Sequence, residues 1–213
     1  MRLDKTIFDE SCRACPRLAA FLDTVNDHHP DYYCRPVPPF GDALASLLIV
    51  GLAPGMHGAN RTGRPFTGDH AGILLYETLY AYGFASQKES VAADDALRLL
   101  GCRITNAVKC LPPDNKPVGA EISTCNAFLA NELDVLPEGA VVVALGGIAH
   151  RAIIKARGRR QVEYKFGHGA VHDLGQFQVL DSYHCSRYNT NTGRLTAEMF
   201  SSIFAKAREL LDK

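Results

Sequence analysis

Four cysteines in this 213-residue chain have the residue type and spacing of a metal centre. Cys12 and Cys15 form a C-x-x-C pair at the start of a predicted helix, and this spacing lets two thiolates reach one centre. Cys110 follows a predicted strand, and Cys125 opens a predicted helix after a proline-stiffened loop. Four thiolates can hold either a zinc ion or a 4Fe-4S cluster, and composition does not separate the two.

Other interpretations of these cysteines stay open at this point. Free cysteines commonly behave as small buried hydrophobic residues, and a redox dithiol is disfavoured because too little chain precedes Cys12 for a thioredoxin-like strand. Cys34, in the proline-rich segment 30–41, competes as a ligand, whereas Cys102 is expected in the core. Seven cysteines with no secretory segment favour reduced thiols, metal ligation and a cytoplasmic location.

A second candidate for chemistry is the glycine-rich segment 51–72, GLAPGMHGANRTGRPFTGDHAG. Glycines let a backbone approach a ligand closely and offer amides to oxyanions or base edges, and the spacing matches neither common nucleotide-binding glycine motif. Phe66 offers a ring for stacking on a base, or anchors the loop in the core. Asn60 and Asp69 are candidates for organising water, and Asp69 is equally placed to cap a helix.

Two further loops carry polar side chains just after predicted strands. Asn106 offers a donor and an acceptor together, which suits the edge of an extruded pyrimidine, and Lys109 is placed to meet a phosphate. In DSYHCSRYNTNTGRLT, His184 can donate to a carbonyl oxygen that gains charge, while Ser186 and Asn189 can bond phosphates. Turn capping by Asn106 and a structural role for His184 are the plain alternatives.

The elements that must position these loops alternate along the chain. Short apolar runs predict buried strands at 47–50, 103–108, 141–145 and 177–180. Helical patterning covers 12–25, 71–82, 92–100, 121–133, 148–156 and 195–211. Such alternation predicts an α/β fold with a parallel sheet covered on both faces, whose ligands bind beyond the carboxyl ends of the strands. The functional loops therefore begin at Gly51, Lys109, Gly146 and Ser182.

Composition bounds the class of protein. A length of 213 residues predicts one domain over 1–213, and 46% hydrophobic with 22% charged residues excludes disordered, collagenous and coiled-coil chains. The longest apolar stretch is too short for a membrane span. A formal net charge of zero gives no global attraction to nucleic acid. Local basic clusters exist, and their residues are Lys155, Arg157, Arg159, Arg160, Arg61, Arg64, Arg187 and Arg194.

Taken together in order, five motifs resemble the uracil-DNA glycosylase superfamily, most closely its type-5 iron-sulfur branch. The motifs span nearly the whole chain: CRACPRL at 12–18, PVPPFGD at 36–42, GLAPGMHGANRTGRPFTGD at 51–69, TNAVKCLPP at 105–113 and SYHCSRYNTNTGRLT at 182–196. The resemblance implies a three-layer α/β/α sandwich with a central four-stranded parallel sheet. It also implies a structural 4Fe-4S cluster on Cys12, Cys15, Cys110 and Cys125.

The resemblance implies an activity as well. The enzyme would hydrolyse the N-glycosidic bond of uracil, and of deaminated purines such as hypoxanthine and xanthine, in double-stranded DNA after base flipping, leaving an abasic site. Phe66 would stack on the flipped base, Asn106 would read its edge beside Gly51 and Ala53, and His184 would donate to uracil O2. DNA contacts would come from Arg61, Lys109, Ser186, Arg187 and Asn189, and a monomer is expected.

Two positions depart from the wider superfamily pattern. Leu52 and Ala53 stand where better-known branches carry an acidic or amide residue, which shifts catalytic weight to His184, Asn60 and Asp69. Cys185 follows the histidine where proline is common, which removes a φ restraint and puts a thiol beside the expected active site. Two other function classes remain: a non-catalytic nucleic-acid-binding module with a structural four-cysteine metal site, and a hydrolase of small nucleosides.

Overall fold

A computed structural model describes residues 8–212 of the chain. Its centre is a six-stranded sheet in the order β1-β3-β2-β4-β6-β5. The strands are β1 Phe40–Gly41, β2 Leu47–Gly51, β3 Cys102–Asn106, β4 Ala140–Leu145, β5 Val171–Asp173 and β6 Phe177–Ser182. The four inner strands are parallel, and the two short edge strands pair antiparallel with β3 and β6.

The helices cover both faces of this sheet. They are α1 Pro16–His28, α2 Ala59–Thr62, α3 His70–Ala81, α4 Gly119–Asp134, α5 Gly147–Ala156, α6 Arg187–Asn191 and α7 Ala197–Leu211. Alternate residues of β2 enter two separate cores: Leu47 and Ile49 pack with α3 and α7, whereas Leu48 and Val50 pack with α4 and α5. The expected three-layer α/β/α arrangement is thereby confirmed. None of the helices within 8–212 is long and apolar enough to cross a membrane.

The four predicted strands are present, and the sheet adds two edge strands of two and three residues that the apolar pattern did not show. Five of the six predicted helices are present with shifted ends. The helix predicted over 92–100 is wrong. There the Asp95 carboxylate accepts the backbone N–H groups of Val91, Ala92 and Leu97, and these side-chain bonds compete with helical ones.

Sheet topology puts the predicted functional loops at one edge. The chain runs from β2 out to β3 and then returns to β4 on the other side of β2, so the strand order reverses between β2 and β4. A crevice forms at such a reversal, beyond the carboxyl ends of the strands. In register, Gly51 lies opposite Asn106, and Leu145 lies opposite Ser182.

Candidate active site and thiol cluster

A cleft of about 490 Å³ opens at this edge of the sheet. The loop after β2 supplies Ala53, Phe66 and Asp69 to its wall, the end of β3 supplies Asn106, and the segment after β6 supplies His184. Five of the residues singled out in the sequence are therefore brought together here. The cleft has the size typical of small-ligand sites.

Asn106 is the polar group set deepest in this wall. The residue is 4% exposed, and its amide oxygen Oδ1 is buried with no hydrogen-bond partner among the described residues. A buried amide oxygen without a partner is costly unless a ligand supplies the donor. The close approach depends on Gly51, since a Cβ there would lie 2.4 Å from Asn106 Oδ1 and 2.7 Å from the Phe66 ring.

Phe66 holds a backbone conformation that bulky residues rarely adopt, with φ at +55°. The surrounding loop fixes it: Tyr76 Oη donates to the Pro65 carbonyl at 2.9 Å, and a Cβ at position 72 would lie 1.9 Å from the Phe66 carbonyl oxygen, so Gly72 is required. Buried Arg64 anchors the same loop by donating to Asp95 at 2.6 Å. Strain of this kind persists where surrounding structure over-determines a functional position.

His184 stacks near Phe66, with ring centroids 5.9 Å apart and planes inclined by 28°. Within residues 8–212 the imidazole has no hydrogen-bond partner of its own, and burial lowers the pKa of His184 to about 4. The ring is therefore neutral at pH 7, with its donor free for a ligand. Asn189 Nδ2 donates to the His184 carbonyl at 2.8 Å, so this side chain positions His184.

Asp69 both caps a helix and lines the cleft. Its Oδ1 accepts the Gly72 N–H at 2.9 Å, which caps α3 as the sequence allowed, and the residue also lines the cleft. Burial raises the pKa of Asp69, while backbone N–H donors oppose that shift. Asn60 differs: it is fully buried, its Nδ2 donates to Cys34 Sγ at 3.5 Å, and its neighbour Ala59 lines the cleft in its place.

The expected phosphate contact by Lys109 is wrong. Its side chain is 1% exposed and points into the protein, where Nζ pairs with Glu132 Oε1 at 2.5 Å. Nζ also donates to Thr105 Oγ1. A buried ammonium needs such a carboxylate, because an unpaired charge in the interior is very costly. Lys109 therefore belongs to an internal ion-pair network that includes Arg103.

Of the other predicted DNA-contacting residues, Arg61, Ser186 and Arg187 line the cleft or a neighbouring groove, whereas Asn189 lines neither. Arg187 is exposed and lines both the cleft and a neighbouring groove of about 570 Å³, which Arg61 and Lys88 also line. Ser186 lines the cleft and caps α6 by accepting the Asn189 N–H at 3.4 Å. The groove beside the opening therefore carries both cationic and acidic side chains, since Glu77 and Glu89 line it as well.

Among residues with polar or aromatic side chains, Asn115 and Tyr188 line or flank the cleft and were not found from the sequence. Asn115 lines the cleft from the loop between Cys110 and α4, with φ at +56° directly after Asp114 at +53°. Its signal was the Asp-Asn pair between prolines, because these two residue types tolerate left-handed backbone. Tyr188, 72% exposed beside Arg187, gave no signal beyond its aromatic type.

The four cysteines predicted as ligands surround a second cavity, of about 110 Å³. Cys12 and Cys15 reach it from the start of α1, Cys110 from the loop after β3, and Cys125 from α4. Burial, followed by the neighbouring thiols, raises the pKa of Cys110 to about 12. The Lys109 N–H donates to Cys125 Sγ at 3.3 Å.

The spacing of these thiols bears on which metal centre they could hold. Within residues 8–212, only one group of three candidate ligand atoms lies within 4.8 Å of one another, and it belongs to His150, His172 and Asp181. No three of the four cysteine sulfurs are therefore that close together. A tetrahedral zinc ion with Zn–S near 2.3 Å needs sulfurs about 3.8 Å apart. A wider cage of four thiols with a backbone N–H donor suits an iron-sulfur cluster.

The other cysteines are placed apart from this cage. Cys185 is fully buried and its Sγ donates to the Ala71 carbonyl at 3.4 Å, so the thiol expected beside the active site faces the core. Burial raises the pKa of Cys185, which keeps it an unreactive thiol. Cys34 contacts Asn60 and is not among the residues around the cage cavity.

Comparison with known proteins agrees with this geometry. A family model described as the uracil DNA glycosylase superfamily matches residues 38–208, the segment that carries both the cleft and two of the four thiols. The chain belongs to the uracil DNA glycosylase superfamily. The resemblance noted from the sequence motifs is thereby confirmed.

Curated members of the superfamily align over nearly the full chain. A type-5 uracil-DNA glycosylase from Thermus thermophilus is 48% identical over 206 residues, which is 94% of this chain and 94% of that protein. One from Pyrobaculum aerophilum is 41% identical, covering 92% and 88% of the two chains. One from Mycobacterium bovis is 42% identical, covering 93% and 78%.

Proposed function

We propose that this protein hydrolyses the N-glycosidic bond of uracil in DNA and leaves an abasic site. The observation that carries the proposal is the unpartnered Oδ1 of Asn106, buried beside the Phe66 ring in a cleft of about 490 Å³. Family membership and the type-5 glycosylase relatives support the same reaction.

Recognition would read the edge of a base extruded from the duplex. Uracil carries an N–H at N3 and carbonyl oxygens at O2 and O4, so N3–H would donate to Asn106 Oδ1 while Nδ2 donates to O4. Cytosine has an unprotonated acceptor nitrogen at the same place and would face Oδ1 lone pair to lone pair. A site built to pair a buried polar group discriminates strongly against a base that leaves it unpaired.

Bond cleavage would depend on the charge that develops on the departing base. The neutral imidazole of His184 would donate a hydrogen bond to O2, where negative charge grows as the glycosidic bond breaks. A donor of this kind matters most in the transition state, since the ground-state carbonyl carries less charge. His184 would therefore contribute to the rate more than to DNA affinity.

Asp69 is the proposed partner of the water and of the sugar cation. Its Oδ1 is engaged by Gly72, and its Oδ2 lies beside Gly58, where a Cβ would come within 2.6 Å. A carboxylate in the cleft wall can orient an attacking water and stabilise an oxocarbenium ion. Asn60 was the other candidate for this role. It does not line the cleft, so its proposed role is to support the loop that carries Ala59.

The wider substrate range is part of the proposal. Small residues such as Ala53 and Gly55 line a cleft of about 490 Å³, which has room for a purine as well as a pyrimidine. Hypoxanthine and xanthine in double-stranded DNA are therefore proposed as further substrates. Arg61, Ser186 and Arg187 would contact the backbone, and exposed Tyr188 would fill the space left by the extruded base.

Cys12, Cys15, Cys110 and Cys125 are proposed to hold a 4Fe-4S cluster. The cluster would supply no step of the hydrolysis and would instead link α1, the loop after β3 and α4. That loop runs on to Asn115 in the cleft wall. Cytoplasmic location, a monomeric state and a single domain over 1–213 remain predictions.

The test is excision from end-labelled duplexes that carry one uracil, hypoxanthine, xanthine or no lesion, followed by alkali to cut abasic sites. Iron-replete protein should cleave only lesion-bearing strands, and His184→Ala should slow excision on the order of 100-fold or more while DNA affinity is kept. Free deoxyuridine is assayed in parallel, since activity on it alone would indicate a nucleoside hydrolase. Lesion-independent binding without cleavage would instead indicate a binding module.

A further inference from the structure

A second group of ligand-type side chains lies outside the cleft and the thiol cage. His150 on α5, His172 on β5 and Asp181 on β6 converge on one point. His150 Nδ1 is 2.8 Å from Asp181 Oδ1, and His172 Nε2 is 3.0 Å from Asp181 Oδ2. The side chains of His150 and Asp181 are 1% and 0% exposed, whereas that of His172 is 12% exposed. The three ligand atoms lie within 4.8 Å of one another.

The outer contacts of this group fix which atoms face its centre. His150 Nε2 lies 2.9 Å from the Tyr164 carbonyl, which can only accept, so Nε2 carries the proton and donates. In a neutral ring this leaves a lone pair on Nδ1, directed at the Asp181 carboxylate. Two lone pairs facing each other at 2.8 Å require a positive charge between them, either a proton or a metal ion.

Asp181 is also positioned by hydrogen bonds to residues outside the group. The Gly167 N–H donates to Asp181 Oδ2 at 3.2 Å, and the backbone N–H of Asp181 donates to the Ala170 carbonyl at 2.9 Å. Metal-ligating histidines commonly donate their second nitrogen to a carbonyl, and ligating carboxylates are themselves hydrogen-bonded. His150 and Asp181 show these features.

We propose that His150, His172 and Asp181 form a zinc site with one open coordination position. Two imidazole nitrogens and a carboxylate oxygen are ligands that zinc accepts, and three protein ligands leave room for a water. With zinc about 2.0–2.1 Å from each atom, tetrahedral geometry places the ligands about 3.3 Å apart. The contacts at 2.8 and 3.0 Å run to different oxygens of Asp181, so zinc held between the two histidines would take both oxygens, or the carboxylate would turn to present one.

The short edge strand β5 provides that freedom and a route of entry. His172 is the partly exposed member, on a three-residue strand that pairs only with β6. The hard N/O donor set also separates this site from the sulfur cage, because thiolates select iron-sulfur clusters and soft metals. One chain would then carry two metal centres of different chemistry.

This zinc would contribute to stability, with a water completing the tetrahedral set that a structural site requires. It would join α5 to β6 just before the segment that presents His184, and it would hold the turn at 164–167 through Tyr164 and Gly167. Its three ligands are not among the residues that line the cleft with Phe66 and Asn106. The measurable consequences are therefore metal content and thermal stability.

The experiment uses the full-length, iron-replete protein dialysed against micromolar Zn²⁺, with zinc and iron quantified in the same sample. About one zinc per chain is expected, with iron unchanged, and zinc K-edge absorption should show nitrogen and oxygen ligands only. Zinc should raise the melting temperature, since it binds the folded state alone. His172→Ala should weaken zinc binding by at least about tenfold.

The matched control is His28→Ala, because His28 is an exposed histidine whose ring bonds the Thr24 carbonyl of its own helix. This variant should keep the full zinc content. Absence of zinc from the wild type after dialysis would overturn the proposal and leave a proton between His150 and Asp181. Sulfur in the zinc coordination shell, or undiminished zinc in His172→Ala, would overturn it equally. The zinc K-edge absorption spectrum of the wild-type protein tests the ligand set even if His172→Ala does not fold.

Discussion

Gly51 and Asn106 lie opposite each other across the β2–β3 pair, and a Cβ on Gly51 would lie only 2.4 Å from Asn106 Oδ1. The same atom would lie 2.7 Å from the Phe66 ring. The absence of a side chain at position 51 therefore lets the amide and the ring approach each other in the wall of the cleft. Neither Asn106 nor Phe66 can move away from position 51, because Asn106 is on an inner strand and Phe66 is on a tightly held loop.

Gly51→Ala should displace Asn106 or Phe66 and reduce uracil excision on the order of 100-fold. Overpacking should also cost about 1–3 kcal/mol of the free energy of unfolding. Single-turnover excision and urea denaturation measure the two effects. Gly119→Ala is the control, since a Cβ there meets nothing within 4 Å and alanine favours a helix start over glycine. Full excision activity in Gly51→Ala would show that excision does not require the close approach of Asn106 and Phe66 at position 51.

The His184 ring should stay neutral from pH 8 down to about pH 5. Burial lowers its pKa to about 4 in the folded protein, against about 6.5 when unfolded. Between these values the unfolded chain binds more protons, so this group lowers the folding stability as the pH falls from about 6.5 to about 4. ¹⁵N chemical shifts of the imidazole against pH test this. A titration midpoint near 6.5 would contradict the buried, neutral donor.

Asp95→Ala should destabilise the protein by about 3 kcal/mol, because it leaves the buried Arg64 guanidinium without its carboxylate. The loss should extend to excision, since Arg64 anchors the loop that holds Phe66 in its strained conformation. Thermal denaturation and excision are measured together. Asp94→Ala, at the exposed neighbouring position, should change neither quantity by much. Equal stability of the two variants would show that the ion pair contributes little.

Substitutions of Lys109 and Arg187 should have opposite effects on stability and on the salt dependence of DNA binding. Lys109→Met leaves Glu132 buried without its ammonium and should cost about 3–5 kcal/mol of stability, with no change in the salt dependence of DNA binding. Arg187→Ala should keep stability and lower the slope of log K against log salt by about 1. Binding isotherms at several salt concentrations distinguish them. A reduced slope for folded Lys109→Met would restore it as a phosphate contact.

Cys12→Ala should lose bound iron, the absorption near about 400 nm and most of the soluble yield, because one ligand of the cage is removed. Cys34→Ala should retain iron, since Cys34 contacts Asn60 and lies outside the cage cavity. Iron is quantified per chain after anaerobic purification. Unchanged iron in Cys12→Ala would remove Cys12 from the ligand set, and iron loss in Cys34→Ala would add Cys34 to it.

The inner strands were predictable because each is a buried apolar run, and their parallel order followed from the alternation with helices. The helix over 92–100 was not excluded by periodicity, because the decision rests on one carboxylate, Asp95, and on a distant partner, Arg64. Lys109 shows the same limit. Its position after a strand suggested a phosphate contact, and only the fold shows that Glu132 lies within reach.

Some residues of the site could be found from the sequence and others could not. Phe66, Asp69, Asn106 and His184 were found because strand ends meet at one edge of a parallel sheet. Asn115 was missed because its loop reaches the cleft through two consecutive left-handed residues, which a sequence pattern does not specify. The group of His150, His172 and Asp181 was missed because its members are far apart in sequence and each looks like an ordinary core or edge residue.

The loop that carries Asn115 is attached at both ends to cysteines of the cage, Cys110 before it and Cys125 after it. Asn106, by contrast, ends the sheet strand β3, and His184 follows two residues after the end of β6. Oxidative loss of the proposed cluster would thus release the Asn115 side of the cleft while the sheet strands that precede His184 and end at Asn106 stay in place. In chains that stay folded, such damage would first appear as altered selectivity among lesions.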